Sequence, residues 1–229
     1  MDDPKVSIIM SVYNCEEYLK YSIDSIINQS FNDYEFIIIN DGSTDNSLSI
    51  LKQYQKLDNR IIIINNKKNY GLPISLNKGI KFAKSKFIAR QDADDISEID
   101  RLKLQYNFMN KNESVDILGS NCSYIDLNNH HIFSDNHFSK IKQFKDDLLK
   151  ARAILPHGSA FMRTSVLKDF GGYNESFYYS QDGELWLRLL NNNRKIFVMD
   201  QILYKYRLQP ISEKSKYGHR EYNKLKNKI

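Results

Sequence analysis

The chain has 229 residues, of which 41% are apolar, and its formal net charge at pH 7 is +5. This length and composition are sufficient for a buried core and place the chain among globular proteins. Its basic residues are scattered and gather only in residues 214–228, so the net charge does not indicate nucleic-acid binding.

Two features bear on the compartment. The apolar segment Val6–Val12 is too short to span a bilayer and lacks the flanks of a signal peptide, so we expect a cytoplasmic protein without leader or anchor. Cys15 and Cys122 lie far apart and show no metal-ligand spacing. They predict two free thiols rather than a disulfide or a zinc site.

The first hundred residues alternate β-branched runs with amphipathic segments, which predicts a parallel sheet with crossover helices. The first helix is expected to begin with a capping box formed by Asn14 and Glu17. The predicted strands are residues 5–12, 35–40, 60–65 and 86–90, and further helices are predicted at 45–57 and 73–83.

After Arg101 the rhythm changes, and no linker separates the two halves. The pattern therefore predicts that the second half extends the same sheet. Helices are expected from 101 to about 110, at 144–153 and at 183–191, and strands at 116–124, around Ile132, at 159–163 and near Ile196 and Leu203.

Polar residues follow three of the predicted parallel strands: Ser11 to Asn14, Asn40 to Asp45, and Asp92 to Asp95. Ligands of an open parallel sheet bind beyond the carboxyl ends of its strands, so these three segments are expected at one edge. They are the first candidates for a binding site.

The pair Asp92 and Asp94 is separated only by Ala93, so in extended backbone both carboxylates point to one side. Paired hard oxygens suit Mg²⁺ or Mn²⁺, with positions left for substrate phosphates. The alternative is that these acidic residues cap the following helix or decorate a loop, and the motif alone does not decide between the two.

Four further residues are candidates for the functional site, although each also has an ordinary structural explanation. Asp41 precedes a glycine turn but could accept a hydrogen bond from the N–H group of a base, and Tyr13 could pack a flat base. Asp182, at a predicted helix start, could be a helix cap or a catalytic carboxylate. His157 could be a metal ligand, a proton shuttle or a structural histidine.

Five ordered blocks resemble family 2 glycosyltransferases of the GT-A fold. They cover most of the chain to about Arg207. They are Ser11–Asn14, Ile39–Asp45, Asn69–Leu72, Ala89–Asp95 and Asp182–Arg188. Gln181 departs from the family, which commonly has glutamate there, and the Gln-x-x-Arg-Trp motif of processive synthases is absent.

The resemblance implies a Rossmann-like α/β/α sandwich and an inverting transfer of one sugar from a nucleotide sugar, of UDP type, to an acceptor hydroxyl in glycan or polysaccharide biosynthesis. It implies that Asp182 is the catalytic base and that Asp94 holds a Mn²⁺ or Mg²⁺ cofactor. His157 is a second candidate ligand of this metal, or a residue near the acceptor. The nucleotide-sugar-binding residues that it implies are Val12, Tyr13, Asn14, Asp41, Arg90, Asp92, Ala93 and Asp94.

The resemblance also implies one domain over residues 1–208, with a nucleotide-binding half at 1–100 and an acceptor-binding half at 101–208. Arg207 is expected to reach the diphosphate when a C-terminal segment closes. The basic tail at 209–229 is either solvated surface or a peripheral contact with anionic lipid or a lipid-linked acceptor.

Other classes of protein share parts of this pattern. A dinucleotide-dependent oxidoreductase should have Gly-x-Gly-x-x-Gly after the first strand, where this chain has Tyr13-Asn14-Cys15-Glu16, and the motif of a P-loop enzyme is missing too. A nucleotidyltransferase would release pyrophosphate instead of a nucleoside diphosphate. A catalytically silent nucleotide-sugar-binding module remains the non-enzyme alternative.

Overall fold

The computed structural model describes residues 3–150, 152 and 154–209. The predicted basic tail, apart from Gln209, lies outside these residues, so its membrane contact stays a prediction.

The first half has the predicted parallel architecture. Its elements, in chain order, are β1 (Val6–Val12), α1 (Leu19–Ile27), β2 (Tyr34–Asn40), α2 (Ser47–Leu57), β3 (Ile61–Asn65), α3 (Leu72–Phe82) and β4 (Phe87–Asp92). Strand β1 pairs in parallel with β2 and β4, and β2 pairs in parallel with β3. The carboxyl ends of these strands therefore meet at one edge.

The second half adds strands to the same sheet. Its elements are β5 (Ile96–Ser97), α4 (Arg101–Lys111), β6 (Ile117–Ile125), β7 (His131–Asp135), α5 (Phe144–Leu149), β8 (Phe161–Arg163), α6 (Thr164–Asp169), α7 (Gln181–Asn191) and β9 (Ile196–Arg207). The strand order is β3-β2-β1-β4-β8-β6-β9-β5, and β7 pairs with β6 beyond the end of β8.

Helices cover both faces, so the predicted α/β/α sandwich is confirmed. The side chains of β1 alternate between the two faces of the sheet. Ile8 and Met10 pack in the core beneath α1, α2 and α4. Ile9 packs in the core on the other face, beneath α3, α5, α6 and α7. This alternation is the pleat of a strand that is buried on both faces.

Several predicted boundaries are wrong. The capping box does not form, because Asn14 has φ 48° and its Oδ1 accepts from Thr44 N instead, so α1 begins at Leu19. The two predicted late strands are one strand, β9, whose register against β6 shifts near Asn121. Helix α5 ends at Leu149.

Candidate active site

An open cleft of about 860 Å³ lies at the edge where the parallel strands end. The loops after β1, β2 and β4 form one wall, and the segment that opens α7 forms the other. Seven of the site residues predicted from the sequence line it: Tyr13, Asn14, Asp41, Asp92, Ala93, Asp94 and Asp182.

The loops after β1 and β2 are bound to each other at the rim. Asn14 Oδ1 accepts from Thr44 N at 2.8 Å, and Glu16 Oε2 accepts from Asn46 N at 2.9 Å. In return, Glu16 N donates to Asp45 Oδ2 at 2.9 Å. Glu16, in the loop after β1, thus accepts from the backbone amide of Asn46 just before α2. These hydrogen bonds fix the two loops relative to each other.

Asp41 organises the next loop. Its Oδ1 accepts from Asn66 Nδ2 at 2.7 Å and from Tyr70 N at 3.0 Å, and its Oδ2 accepts from Gly71 N at 2.9 Å. Each carboxylate oxygen has two lone pairs, so Oδ2 has capacity for one more donor from the cleft. Gly42, at φ +70°, has room for no Cβ because the backbone of Lys68 lies against it.

Asp92 is fixed from three directions. Arg90 Nη2 lies 2.5 Å from Asp92 Oδ1, Ser22 Oγ donates to its carbonyl at 2.7 Å, and its N–H donates to the Tyr204 hydroxyl at 3.1 Å. Arg90 itself is buried. It orients Asp92 from below rather than lining the cleft.

Asp94 lies beside Asp92 in the cleft. Burial raises the pKa of the Asp94 carboxyl, and the nearby Asp92 carboxylate raises it further. Burial and the carboxylates of Asp94 and Asp92 hold the pKa of Asp95 well above its usual range. Burial and the crowding of these carboxylates therefore disfavour their ionised forms.

This donor set fits a divalent cation. Asp92 and Asp94 offer hard carboxylate oxygens in an open cleft. A cation bound to them would reduce the repulsion between the two carboxylates and their repulsion of a substrate phosphate. Within the described ranges, no group of three or more His, Cys, Asp or Glu side chains could hold a metal by itself. A cation here would take further ligands from substrate phosphates and water.

Asp182 faces the cleft from the first turn of α7. Helix α7 begins after Ser180, which has φ 55°, and buries Leu185, Trp186 and Leu189 against the sheet. The buried stripe fixes the helix, so its opening turn presents Asp182 to the cleft that the acidic stretch also lines.

His157 is placed differently from the other candidates. It is absent from the residues that line the cleft, and its Nε2 lies 2.8 Å from the Tyr173 hydroxyl. Burial and the Arg90 guanidinium lower the pKa of the imidazole, while the charge of Asp182 acts in the opposite direction. This environment favours a neutral ring.

Two further candidates have structural contacts. The Val12 side chain is buried in the core, and Val12 O accepts from Asp41 N at 2.8 Å. Arg207 is buried too: Nε donates to Asp94 O and Nη1 to Asp126 O, at 2.7 and 2.8 Å. Arg207 thus holds the backbone of the acidic stretch, and the expected reach to a diphosphate is not the arrangement seen.

Other residues that line the cleft are not identified by the sequence alone. Tyr178 and Tyr179 line the cleft, with the Tyr178 ring against Gly71, and Gln209 Nε2 lies 3.4 Å from Asp94 Oδ2. The two tyrosines lie just before Asp182 in the sequence, and this closeness to a candidate catalytic residue could have identified them. Gln209 has no local signal, because the fold brings it back from 115 residues away.

None of the helices in the described part of the chain has the length and hydropathy of a bilayer span.

Comparisons with known proteins extend the resemblance. The sequence profile described as Glycosyl transferase family 2 matches residues 7–171. An uncharacterised glycosyltransferase of Methanocaldococcus jannaschii is 38% identical over 212 residues, which make up 91% of this chain and 72% of the relative.

Solved structures share the fold. S. aureus TarS 1-349 in complex with UDP-GlcNAc superimposes with a TM-score of 0.76 at 23% identity, over 92% of this chain and 60% of that one. The mannosyltransferase PcManGT from Pyrobaculum calidifontis, in complex with GDP-Man and Mn²⁺, gives 0.70 at 15% identity, over 97% and 61%. The chain spans less than two thirds of either solved chain. With its GT-A fold and these matches, the chain belongs to glycosyl transferase family 2.

Proposed function

We propose that this chain is an inverting, metal-dependent glycosyltransferase that transfers one sugar from a nucleoside diphosphate sugar, of UDP type, to an acceptor hydroxyl. One observation carries the proposal: a single cleft has Tyr13, Asp41 and Asp94 on one wall and Asp182 on the other. A donor site and a general base therefore face the same space.

The donor's base would bind where β1 and β2 end. The Tyr13 ring is 48% exposed and lines the cleft, so it can cover a flat base. The open position on Asp41 Oδ2 can accept an N–H of that base. The solved relatives bind UDP-GlcNAc and GDP-Man, which supports a nucleotide sugar without choosing its base.

Asp94, with Asp92 beside it, would hold the cation against the diphosphate. The cation supplies charge neutralisation for the departing diphosphate. Arg90 and Arg207 keep both carboxylates in place, since Arg90 pairs with the Asp92 side chain and Arg207 binds the Asp94 carbonyl. The complex of PcManGT with GDP-Man and Mn²⁺ supports a divalent cation as the cofactor.

Asp182 would act as the general base. It accepts the proton of the acceptor hydroxyl as the oxygen attacks the anomeric carbon, while the bond from that carbon to the diphosphate oxygen breaks with its electron pair. Attack on the face opposite the leaving group inverts the anomeric configuration. A hydroxyl is a poor nucleophile, so removal of this base is costly.

Of the candidate metal ligands, His157 has the least support from the geometry, because its Nε2 is already hydrogen-bonded to the Tyr173 hydroxyl. If it binds the cation, His157→Ala lowers nucleotide affinity in Mn²⁺ but not in EDTA. An equal affinity in Mn²⁺ for the variant and the parent leaves His157 a structural residue.

A donor panel tests the proposal. UDP, GDP and dTDP sugars are incubated with the chain and Mn²⁺ or Mg²⁺ without acceptor, and the released nucleotide is measured. We expect a nucleoside diphosphate from at least one donor, and EDTA should stop its release. Pyrophosphate as product would favour a nucleotidyltransferase, and tight nucleotide binding without any release would favour the silent binding module.

A further inference from the structure

Three aromatic rings form a row across neighbouring strands beyond the cleft. Phe133 on β7 is the register partner of Tyr124 on β6, and Tyr124 is the partner of Tyr206 on β9. Register partners point to the same face of a sheet. The ring centroids of Phe133 and Tyr124 are 4.4 Å apart, and those of Tyr124 and Tyr206 are 5.6 Å apart.

The two outer rings of this aromatic row are open to solvent. Phe133 is 46% exposed and Tyr206 is 42% exposed, while Tyr124 between them is half-buried. A row of exposed rings on adjacent strands is a contiguous apolar surface rather than a single exposed residue, and such surfaces mark binding sites.

One end of the row lies near the acidic stretch of the cleft. Tyr204, two residues before Tyr206 and on the same face, accepts a hydrogen bond from Asp92 N. Two residues of strand advance about 7 Å, so the Tyr206 ring lies one step from the acidic stretch. Arg207, the next residue, donates from its backbone to Asp95 Oδ1 at 2.7 Å.

The row also lies on the same face of the sheet as the proposed base. Tyr204 belongs to the core cluster beneath α7, against which Tyr124 packs, and Leu185 and Trp186 of α7 belong to that cluster. Asp182 opens α7. In line with this placement, burial and the charges of the cleft carboxylates, Asp182 among them, raise the pKa of Tyr206.

Resting on the proposed function, we propose that the aromatic row is the acceptor platform of this enzyme, which binds an uncharged saccharide unit and directs a hydroxyl towards Asp182. Sugar rings have C–H faces that pack on aromatic rings and hydroxyl edges that need polar partners. Asp135, two residues after Phe133, provides a carboxylate at the margin of the row.

Charge disfavours an anionic acceptor. The cleft end of the row adjoins the carboxylates of Asp92 and Asp182, which repel an anion. The donor's base is not a competing occupant, because its proposed contacts, Tyr13 and Asp41, lie at the ends of β1 and β2.

Saturation-transfer NMR and kinetics on the full chain with UDP and Mn²⁺ test the platform. The probes are the methyl glycosides of glucose, galactose, mannose and N-acetylglucosamine. We expect at least one to receive saturation, and Phe133→Ala and Tyr206→Ala to weaken its binding about three- to tenfold. Release of nucleotide from the donor in the absence of acceptor should be unchanged in Phe133→Ala.

Phe82→Ala is the matched control, because Phe82 is another exposed ring, at 58%, and lies at the end of α3 away from the row. The platform is overturned if no glycoside binds the parent chain, or if both row variants bind it as the parent does. It is also overturned if gel filtration shows that Phe133→Ala turns a dimer into a monomer, since a second copy would then cover the row. If glycosides bind through the row but no donor is hydrolysed, the proposed function fails and the saccharide site stands.

Discussion

The two walls of the cleft are built in different ways. On the donor wall, strands that are parallel neighbours end together, and the loops that follow them are bound to one another through Asn14, Glu16 and Asp41. On the acceptor wall, Asp182 is presented by helix α7, and beyond the cleft the aromatic row lies across β7, β6 and β9, where β6 pairs antiparallel with β7 and in parallel with β9. Hydrogen bonds between the loops therefore shape the donor wall, whereas the acceptor wall depends on the packing of α7 and the row on the registers of β7, β6 and β9.

This difference corresponds to two tasks: binding of a nucleoside diphosphate, which is common to many enzymes, and binding of an acceptor, which varies between them. A nucleoside diphosphate presents the same phosphates to every enzyme that uses it, so a rigid wall suits it. Acceptors differ, and β7, whose partner in the sheet is β6, can change with its loops without disturbing β1, β2 and β4. Substitutions on the two walls should accordingly affect different measurements.

The largest effect is expected on the acceptor wall. Asp182→Asn should lower the rate of sugar transfer by about 10²- to 10⁴-fold, because the amide cannot take the acceptor's proton. Nucleotide affinity should be unchanged, since the donor contacts lie on the opposite wall. Asp169→Asn, at an exposed site at the end of α6, is the control. Transfer at the parental rate would remove Asp182 from the chemistry.

A large loss of stability is expected under the donor wall. Arg90→Met removes the buried partner of Asp92 and should lower the free energy of unfolding by about 3 kcal/mol, towards the lower end for a broken buried pair because Asp92 is partly open to the cleft. Denaturant unfolding measures it, with the exposed Lys103→Met as control. A loss no greater than that of the control would show that the ion pair does not support the acidic stretch.

A smaller change is expected in binding. Asp94→Asn should weaken nucleotide binding in Mn²⁺ by at least about tenfold, since even indirect contacts to a metal contribute that much. In EDTA the variant and the parent should bind alike, and calorimetry under both conditions separates the two contributions. Equal affinities in Mn²⁺ would exclude Asp94 as the metal ligand.

The smallest effect is expected at the rim. Glu16→Ala removes the acceptor for Asn46 N and should cost about 1 kcal/mol of stability. Glu113→Ala, at an exposed site after α4, should cost almost nothing. If both variants unfold at the same denaturant concentration, the contact between the two loops contributes nothing to the donor wall.

The donor wall is also the part of the molecule that its sequence predicts well. The β-branched runs of β1 and β2 follow from their burial on both faces, while β3 is a mostly half-buried edge strand. The residues that end parallel strands must share an edge. Tyr13, Asp41, Asp92 and Asp94 can therefore be assigned to one cleft from strand order alone. The position of Arg90 beneath the cleft cannot, because a motif does not show which side chains point into the core.

The acceptor wall could not be predicted in the same way. Strand β5 has two residues, and its pairing with β9 joins segments far apart in sequence, so it has no local pattern. One detail of the donor wall was also out of reach: the prediction that Asn14 caps its own helix is wrong because Asn14 Oδ1 accepts from Thr44 N in the neighbouring loop. The aromatic row exists only through the registers of three strands.

The most direct test of the central claim is a crystal structure of the chain soaked with UDP and Mn²⁺. We predict that the base of the nucleotide lies against Tyr13 and Asp41 and that the metal is bound to Asp94. The diphosphate should face Asp182 across the cleft. A nucleotide bound outside this cleft, or a metal that does not contact Asp94, would contradict it.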